Sequence, residues 1–87
     1  MGLRLKIVSP EKIVFSGAVE SVTVPGTKGT FEILNDHAPI ISTLQEGMVE
    51  YVSGGNKSQL AIKAGFVEVQ KNDVNLCVEV YENDEYE

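Results

Sequence analysis

Apolar and polar residues alternate at both ends of the chain. Leu3, Leu5 and Ile7 are separated by Arg4 and Lys6, and Val74, Leu76, Val78 and Val80 by Asn75, Cys77 and Glu79. Side chains of an extended strand point in turn to opposite faces, so each segment predicts a strand with one face on a core. Between these ends run short β-type segments: Ile13–Phe15, Ala18–Val24, Thr30–Leu34, Ile40–Leu44, Met48–Val52, Gln59–Ala64 and Phe66–Val69. Turn-forming clusters separate them, among them Ser16-Gly17, Asn35-Asp36, Glu46-Gly47, Ser53-Gly54-Gly55-Asn56 and Lys71-Asn72-Asp73. Eight or nine strands at this spacing predict an all-β sandwich or barrel. In Ala18–Val24 the phase is imperfect, because Glu20 shares parity with Val22 and Val24. A bulge near Gly17, or a strand that changes sheets, accounts for such a slip.

Composition strengthens the β reading. Val, Ile and Thr supply 22 of the 87 residues, and β-branched side chains suit a pleated surface better than a helix. The length predicts one domain, residues 1–80, which buries about 60–65 % of its unfolded surface, followed by an acidic, solvated tail over 81–87. With 43 % hydrophobic and 23 % charged residues, the chain has the make-up of a folded protein.

The net charge of −6 is concentrated at the end: residues 1–78 hold eight acids and seven bases, and residues 79–87 add five more acids. Without a basic patch to neutralise phosphates, the reading is no nucleic acid and no direct docking on anionic lipid. No apolar run approaches the ~18 residues needed to span a bilayer, and the first residues lack a signal-peptide core. Met1-Gly2 is followed by Lys6 where an N-myristoylation signal has Ser or Thr. Cys77 is the only cysteine, which fits a reducing compartment such as the cytoplasm.

Catalytic chemistry finds little to build on. His37, the only histidine, lies in the loop-like segment Asn35-Asp36-His37-Ala38-Pro39, with no nucleophile elbow or second histidine. A hydrolase or isomerase using His37 and Asp36 predicts a deep pocket around them. Glu32, Asp36 and His37 are the only local cluster of metal-ligand types, and neighbours along a strand point apart. Pro25-Gly26-Thr27-Lys28-Gly29 lacks the spacing and the following helix of a phosphate loop and reads as a turn. The expectation is a domain that binds or supports, with no catalytic residues, cofactor or metal; a free-standing β-sandwich binding module is one form of it.

Several ordered stretches sharpen this picture. Ile7-Val8-Ser9-Pro10-Glu11, Phe15-Ser16-Gly17, Val19–Gly26, Gly29–Leu34, His37-Ala38-Pro39-Ile40-Ile41, Leu44-Gln45-Glu46-Gly47 and Ala64–Val69 together resemble the N-terminal domain of the ATP synthase epsilon subunit, counterpart of the mitochondrial delta subunit. The resemblance covers about residues 3–80. Departures are Glu32 where the family usually has Gly, Asn35-Asp36 where Pro-Gly is common, and Glu46 where Pro is usual; they read as loop-level changes.

The resemblance implies a two-sheet β-sandwich of about ten short strands in the rotor of the proton-translocating F-type ATP synthase. Such a subunit is non-catalytic, joins the gamma subunit to the ring of c subunits, and sits peripherally at the cytoplasmic face of the bacterial inner membrane, held there only through the complex. It implies a gamma-facing side including Ser9, His37, Ser42 and Ala64, with the loop Gly26, Thr27, Lys28, Gly29, Thr30 and Phe31 approaching the c ring. Small residues at Ala64 and Gly65 suit close approach of a partner backbone. Many epsilon subunits continue into two C-terminal helices that inhibit the enzyme; the sequence ends at Glu87 without them, so no restraint of ATP hydrolysis by a helical arm is expected. In isolation the domain is open to self-association through an exposed edge strand.

Overall fold

The alternating segments at the two ends of the chain become neighbouring strands of one sheet. In a computed structural model that describes residues 2–81, β1 (Leu3–Val8) pairs in parallel with β8 (Asp73–Val80), aligning Leu5 with Val74 and Ile7 with Leu76. The inward-facing residues of both strands, Leu3, Leu5, Ile7, Val74, Leu76 and Val78, are all buried. The remaining strands are β2 (Ile13–Val19), β3 (Ser21–Gly26), β4 (Gly29–Ile33), β5 (Ile40–Leu44), β6 (Gly47–Ser53) and β7 (Asn56–Gln70).

Hydrogen bonding arranges these strands in two layers. The first runs β2-β1-β8-β7-β5, and the second β4-β3-β6-β7. β7 belongs to both. Its first half, from Asn56 to Ile62, pairs with β6, whereas its second half lies between β5 and β8, from Ala64 to Gln70 on the β8 side. The changeover coincides with a register shift between Ile62 and Ala64, the local extra residue that lets a strand bend from one sheet into another. Beyond β7, the layers also meet where Gly26 of β3 pairs with Leu44 of β5 and where Ser53 Oγ of β6 donates to the Ala18 carbonyl of β2 (2.9 Å). The layers close on one apolar core, to which the second contributes Val22, Val24, Ile33, Val49 and Ile62, all inaccessible to solvent. Each fully buried side chain of this size is worth ~1.5–3 kcal/mol.

The all-β sandwich expected from the pattern is observed, with eight strands among the described residues rather than about ten. Gln59–Ala64 and Phe66–Val69, read as separate, form one fifteen-residue strand, which lowers the number. Gly17 interrupts nothing, lying inside β2; the chain divides at Glu20 instead, which leaves the number there unchanged. The phase slip in Ala18–Val24 is a passage between sheets: β2 ends at Val19 in the first layer, and β3 starts at Ser21 in the second. Between them the Glu20 amide donates to the Val52 carbonyl (2.7 Å). The Glu20 carboxylate accepts from the Gly54 and Gly55 amides at 3.1 and 3.3 Å, capping the β6–β7 turn. That turn has positive φ at both glycines (59° and 82°), the geometry that matches the twist of a tight hairpin. Glu32, whose departure from the family was read as a loop-level change, lies within β4, inside the expected strand Thr30–Leu34. The acidic tail falls, beyond Tyr81, outside the described residues.

Gly65 has a purpose other than breaking a strand. A Cβ there would lie 2.4 Å from the Cys77 carbonyl oxygen and 2.9 Å from Val78 Cγ1, so the missing side chain lets β7 and β8 close up. The close approach expected of Gly65 is thus made by the chain's own β8. Gly65→Ala forces two backbones apart in the middle of the first sheet, and overpacking of this kind costs about 1–3 kcal/mol. The expected outcome is a lower urea midpoint with an unchanged slope, whereas Gly55→Asn, where nothing lies within 4 Å and asparagine tolerates the positive φ, leaves the unfolding free energy within about 0.5 kcal/mol of the wild type.

Candidate functional site

The two outer faces of the sandwich differ in chemistry because their strands alternate with different partners. On the second layer the outward row includes Thr23, Glu32, Glu50 and Gln59, in register across β3, β4, β6 and β7. It is tied together by Gln59 Nε2 donating to Glu50 (2.7 Å) and by the Lys57–Glu50 ion pair (3.7 Å). The outward row of the first layer instead aligns Val8, Cys77, Phe66 and Thr43. Phe66 is 47 % exposed, and Ile41, outward on β5, is 74 % exposed, the largest exposure of any bulky apolar side chain described.

A groove of about 440 Å³ opens beside this row, lined by Val8, Ser9, Pro10, Ala64, Phe66 and Cys77 together with Gly65, Val78 and Glu79. Two of the four residues expected on one side of the molecule, Ser9 and Ala64, therefore meet at one site. Ser9 is held by its amide, which donates to the Lys12 carbonyl (2.9 Å) and closes the β1–β2 turn. Ser42 does not join them. It is paired with buried Val67 and so points inward from β5, leaving Ile41 and Thr43 to face outward. Parity along Ile40–Leu44 was the available signal for this, since Leu44 must be inside.

His37 sits elsewhere, in the β4–β5 connection. A turn closes from the His37 amide to the Leu34 carbonyl (3.1 Å), with Asp36 at φ 65°. The Asp36 amide donates to Asn72 Oδ1 (2.9 Å), anchoring this loop to the β7–β8 turn. Positive φ at the third turn position is what glycine serves best, and aspartate is one of the few substitutes that tolerates it. The His37 ring is half-buried near Phe31 (6.4 Å between centroids), with Nδ1 donating to the Ala38 carbonyl (2.7 Å). No serine, threonine or carboxylate is hydrogen-bonded to the ring among the described residues, so the partners a catalytic histidine requires are not assembled. Among the described residues no group of three or more His, Cys, Asp or Glu is placed to hold a metal ion.

Pro25-Gly26-Thr27-Lys28-Gly29 forms a hairpin tip, as its composition predicts: Gly26 faces Gly29, leaving Thr27 and Lys28 as the two turn residues. The tip bends towards the first layer. The Thr27 amide donates to the Thr43 carbonyl (3.1 Å), the two hydroxyls lie 2.9 Å apart, and the Gln45 amide donates to the Pro25 carbonyl (2.9 Å). Thr27 thus fastens the exposed tip, including Lys28, Gly29 and Thr30, to the strand that carries Ile41. Nothing in the sequence pattern singles out the Thr27–Thr43 pair.

At the far end of β8, Tyr81 donates a hydrogen bond to Glu46 in the β5–β6 turn, and Lys63 Nζ lies 5.4 Å from the ring centre. The bond to Glu46 holds the Tyr81 hydroxyl above the ordinary phenol range, with lesser contributions from desolvation and from the Glu46 charge.

Comparison with known proteins assigns the fold to a family. Residues 2–84 match the family model of the ATP synthase delta/epsilon chain β-sandwich domain. The chain is 39 % identical over 77 residues to an ATP synthase epsilon chain of Leptospira interrogans, covering 88 % of this chain and 61 % of that protein. It is 43 % identical over 75 residues to one of Magnetococcus marinus, covering 86 % and 55 %. It therefore spans somewhat over half the length of these curated relatives. A chain in the Euglena gracilis mitochondrial ATP synthase structure superposes with a TM-score of 0.85 at 22 % identity, covering 99 % of this chain and 56 % of that one. One in the Tetrahymena thermophila central stalk and c-ring structure gives 0.80 at 14 %, covering 100 % and 75 %.

The Tyr81–Glu46 bond sets a pH dependence with a defined sign. A tyrosine whose folded pKa is raised stabilises the fold below its unfolded value near 10, and that contribution is lost as pH rises through the folded value. In an absorbance titration of tyrosinate, one group is expected to ionise later than free tyrosine; Glu46→Gln moves it back towards the ordinary range and Tyr81→Phe removes it.

Proposed function

The chain belongs to the β-sandwich family of ATP synthase delta and epsilon chains, and from that premise we propose that it is a non-catalytic central-stalk component of the proton-translocating F-type ATP synthase. It links the gamma subunit to the membrane c ring so that the two turn together. Its place is peripheral, on the cytoplasmic side of a bacterial membrane, with attachment through protein alone.

One observation carries the reading beyond family membership: the first layer's outer face holds a groove and an exposed apolar row rimmed by the polar row Lys6-Asn75-Glu68, while the second layer's outward row Thr23-Glu32-Glu50-Gln59 is polar and internally hydrogen-bonded. Contiguous exposed apolar surface rimmed by polar residues marks a protein-binding face. Ser9 and Ala64 line that face, and Ile41, Thr43 and Phe66 extend it. His37 and Ser42 enter only if the gamma subunit also reaches the β4–β5 loop and the edge of β5. The Gly26–Phe31 hairpin tip, projecting beside this face and pinned to Thr43, is the segment offered to the c ring. A stable interface needs about 800 Å² per partner, and one broad sandwich face can supply it.

The test is co-purification with the gamma subunit of the same source. Ala64 lies directly opposite Glu79, so Ala64→Glu would add like-charge repulsion within the sheet, whereas Ala64→Arg gains an ion-pair partner there. Ala64→Arg should fold normally yet lower affinity at least tenfold, about 1.4 kcal/mol, because its bulk stands on the docking face. A folded wild-type chain that fails to bind gamma at micromolar concentration refutes the central-stalk reading and favours a free-standing binding module.

A further inference from the structure

The groove on the first layer has a chemical character that narrows what can occupy it. Its floor is Cys77, set in one cross-strand row between Val8 and Phe66, and its walls are Ser9, Pro10 and Ala64. Glu79 is the single charged residue lining it, and Glu68, paired across β7 and β8 with Asn75, stands one row beyond Phe66 on the same face. Among the described residues the only ion pair is Lys57–Glu50 on the opposite layer, so neither carboxylate has an intramolecular counter-ion. No lysine or arginine lines the groove.

We infer that this groove receives from its partner a segment bearing one apolar side chain flanked by a lysine or arginine, the apolar group seated over Cys77 beside Phe66 and the cation meeting Glu79. The inference rests on the preceding reading, in which that partner is the gamma subunit. An apolar anchor gains from the hollow because it displaces water from Val8, Phe66 and the Cys77 thiol together. A cation at the margin balances a carboxylate that docking otherwise desolvates unpaired. An acidic segment is rejected for the same reason. A second copy of this chain offers no cation from its own groove to meet Glu79.

Cys77 is the only thiol of the chain and lies on the groove floor, so its alkylation reports occupancy directly. With N-ethylmaleimide as probe, gamma at saturating concentration is expected to slow Cys77 modification at least tenfold. Phe66→Ala should raise the dissociation rate about tenfold. Glu79→Lys, on an exposed position, should lower the association rate at low salt and flatten its salt dependence. Gamma that binds while Cys77 still reacts at the free rate overturns the inference and leaves the stalk assignment intact; so does gamma binding that Glu79→Lys leaves unchanged or strengthens. A folded chain that does not bind gamma overturns both. Concentration-dependent protection of Cys77 without gamma assigns the groove to a second copy and overturns the inference alone.

Discussion

At Lys63 the longest strand of the molecule stops serving one sheet and begins serving another, and the relation between the layers is set there. Only β7 hydrogen-bonds extensively in both, with β6 along its first half and with β5 and β8 along its second. A strand can do this only if its inward side alternates correctly before and after the bend. The register shift provides that, keeping Ile62 buried on one side and Val67 and Val69 on the other. The absence of a side chain at Gly65, just past the bend, lets β8 close on the second half. With β7 fixed, the core is determined: β8 carries β1 and β1 carries β2, while β6 carries β3 and β3 carries β4.

That constraint explains which parts of the fold were readable in the residues. Leu3-Leu5-Ile7 and Val74-Leu76-Val78 announce their strands because each lies in a half-buried sheet, where period two survives intact. β7 is harder to read, since glycine within a strand looks the same whether it permits a turn or lets a neighbouring backbone approach. The slip at Glu20 marked a real event, and of the two explanations offered by local pattern the change of sheet is the observed one. Turn chemistry was legible at Thr27-Lys28 and Gly54-Gly55, where two residues are flanked or filled by glycine.

The grooved face was partly legible and for a different reason. Ser9 and Ala64 converge although they are 55 positions apart in the chain, a proximity that comes from β1 lying next to β8 and β8 next to β7. Only a family resemblance suggested it beforehand. Ser42 takes the inward parity of β5, and the prominence of Phe66 and Ile41 emerges only when the surface is assembled. The result is a body with two unlike sides: one carries the polar, cross-linked row Thr23-Glu32-Glu50-Gln59, the other the groove with exposed Phe66 and Ile41. Dense packing between them keeps the groove and the hairpin tip in fixed relation. The Thr27–Thr43 clasp extends that rigidity to a tip that would otherwise swing.

The parallel pairing of β1 with β8 has a consequence for how the molecule is made. β1 is completed by β8, which begins only at Asp73, and at roughly 5–20 residues per second it waits several seconds for its neighbour. During that interval Leu3, Leu5 and Ile7 can be covered on one edge by β2 alone. The β3–β4 and β6–β7 hairpins, whose partners follow closely in the chain, are free to form first. A nascent chain of this design therefore exposes an apolar, hydrogen-bond-hungry edge until β8 has been made. In the folded molecule β1 is enclosed on both edges, by β2 and β8.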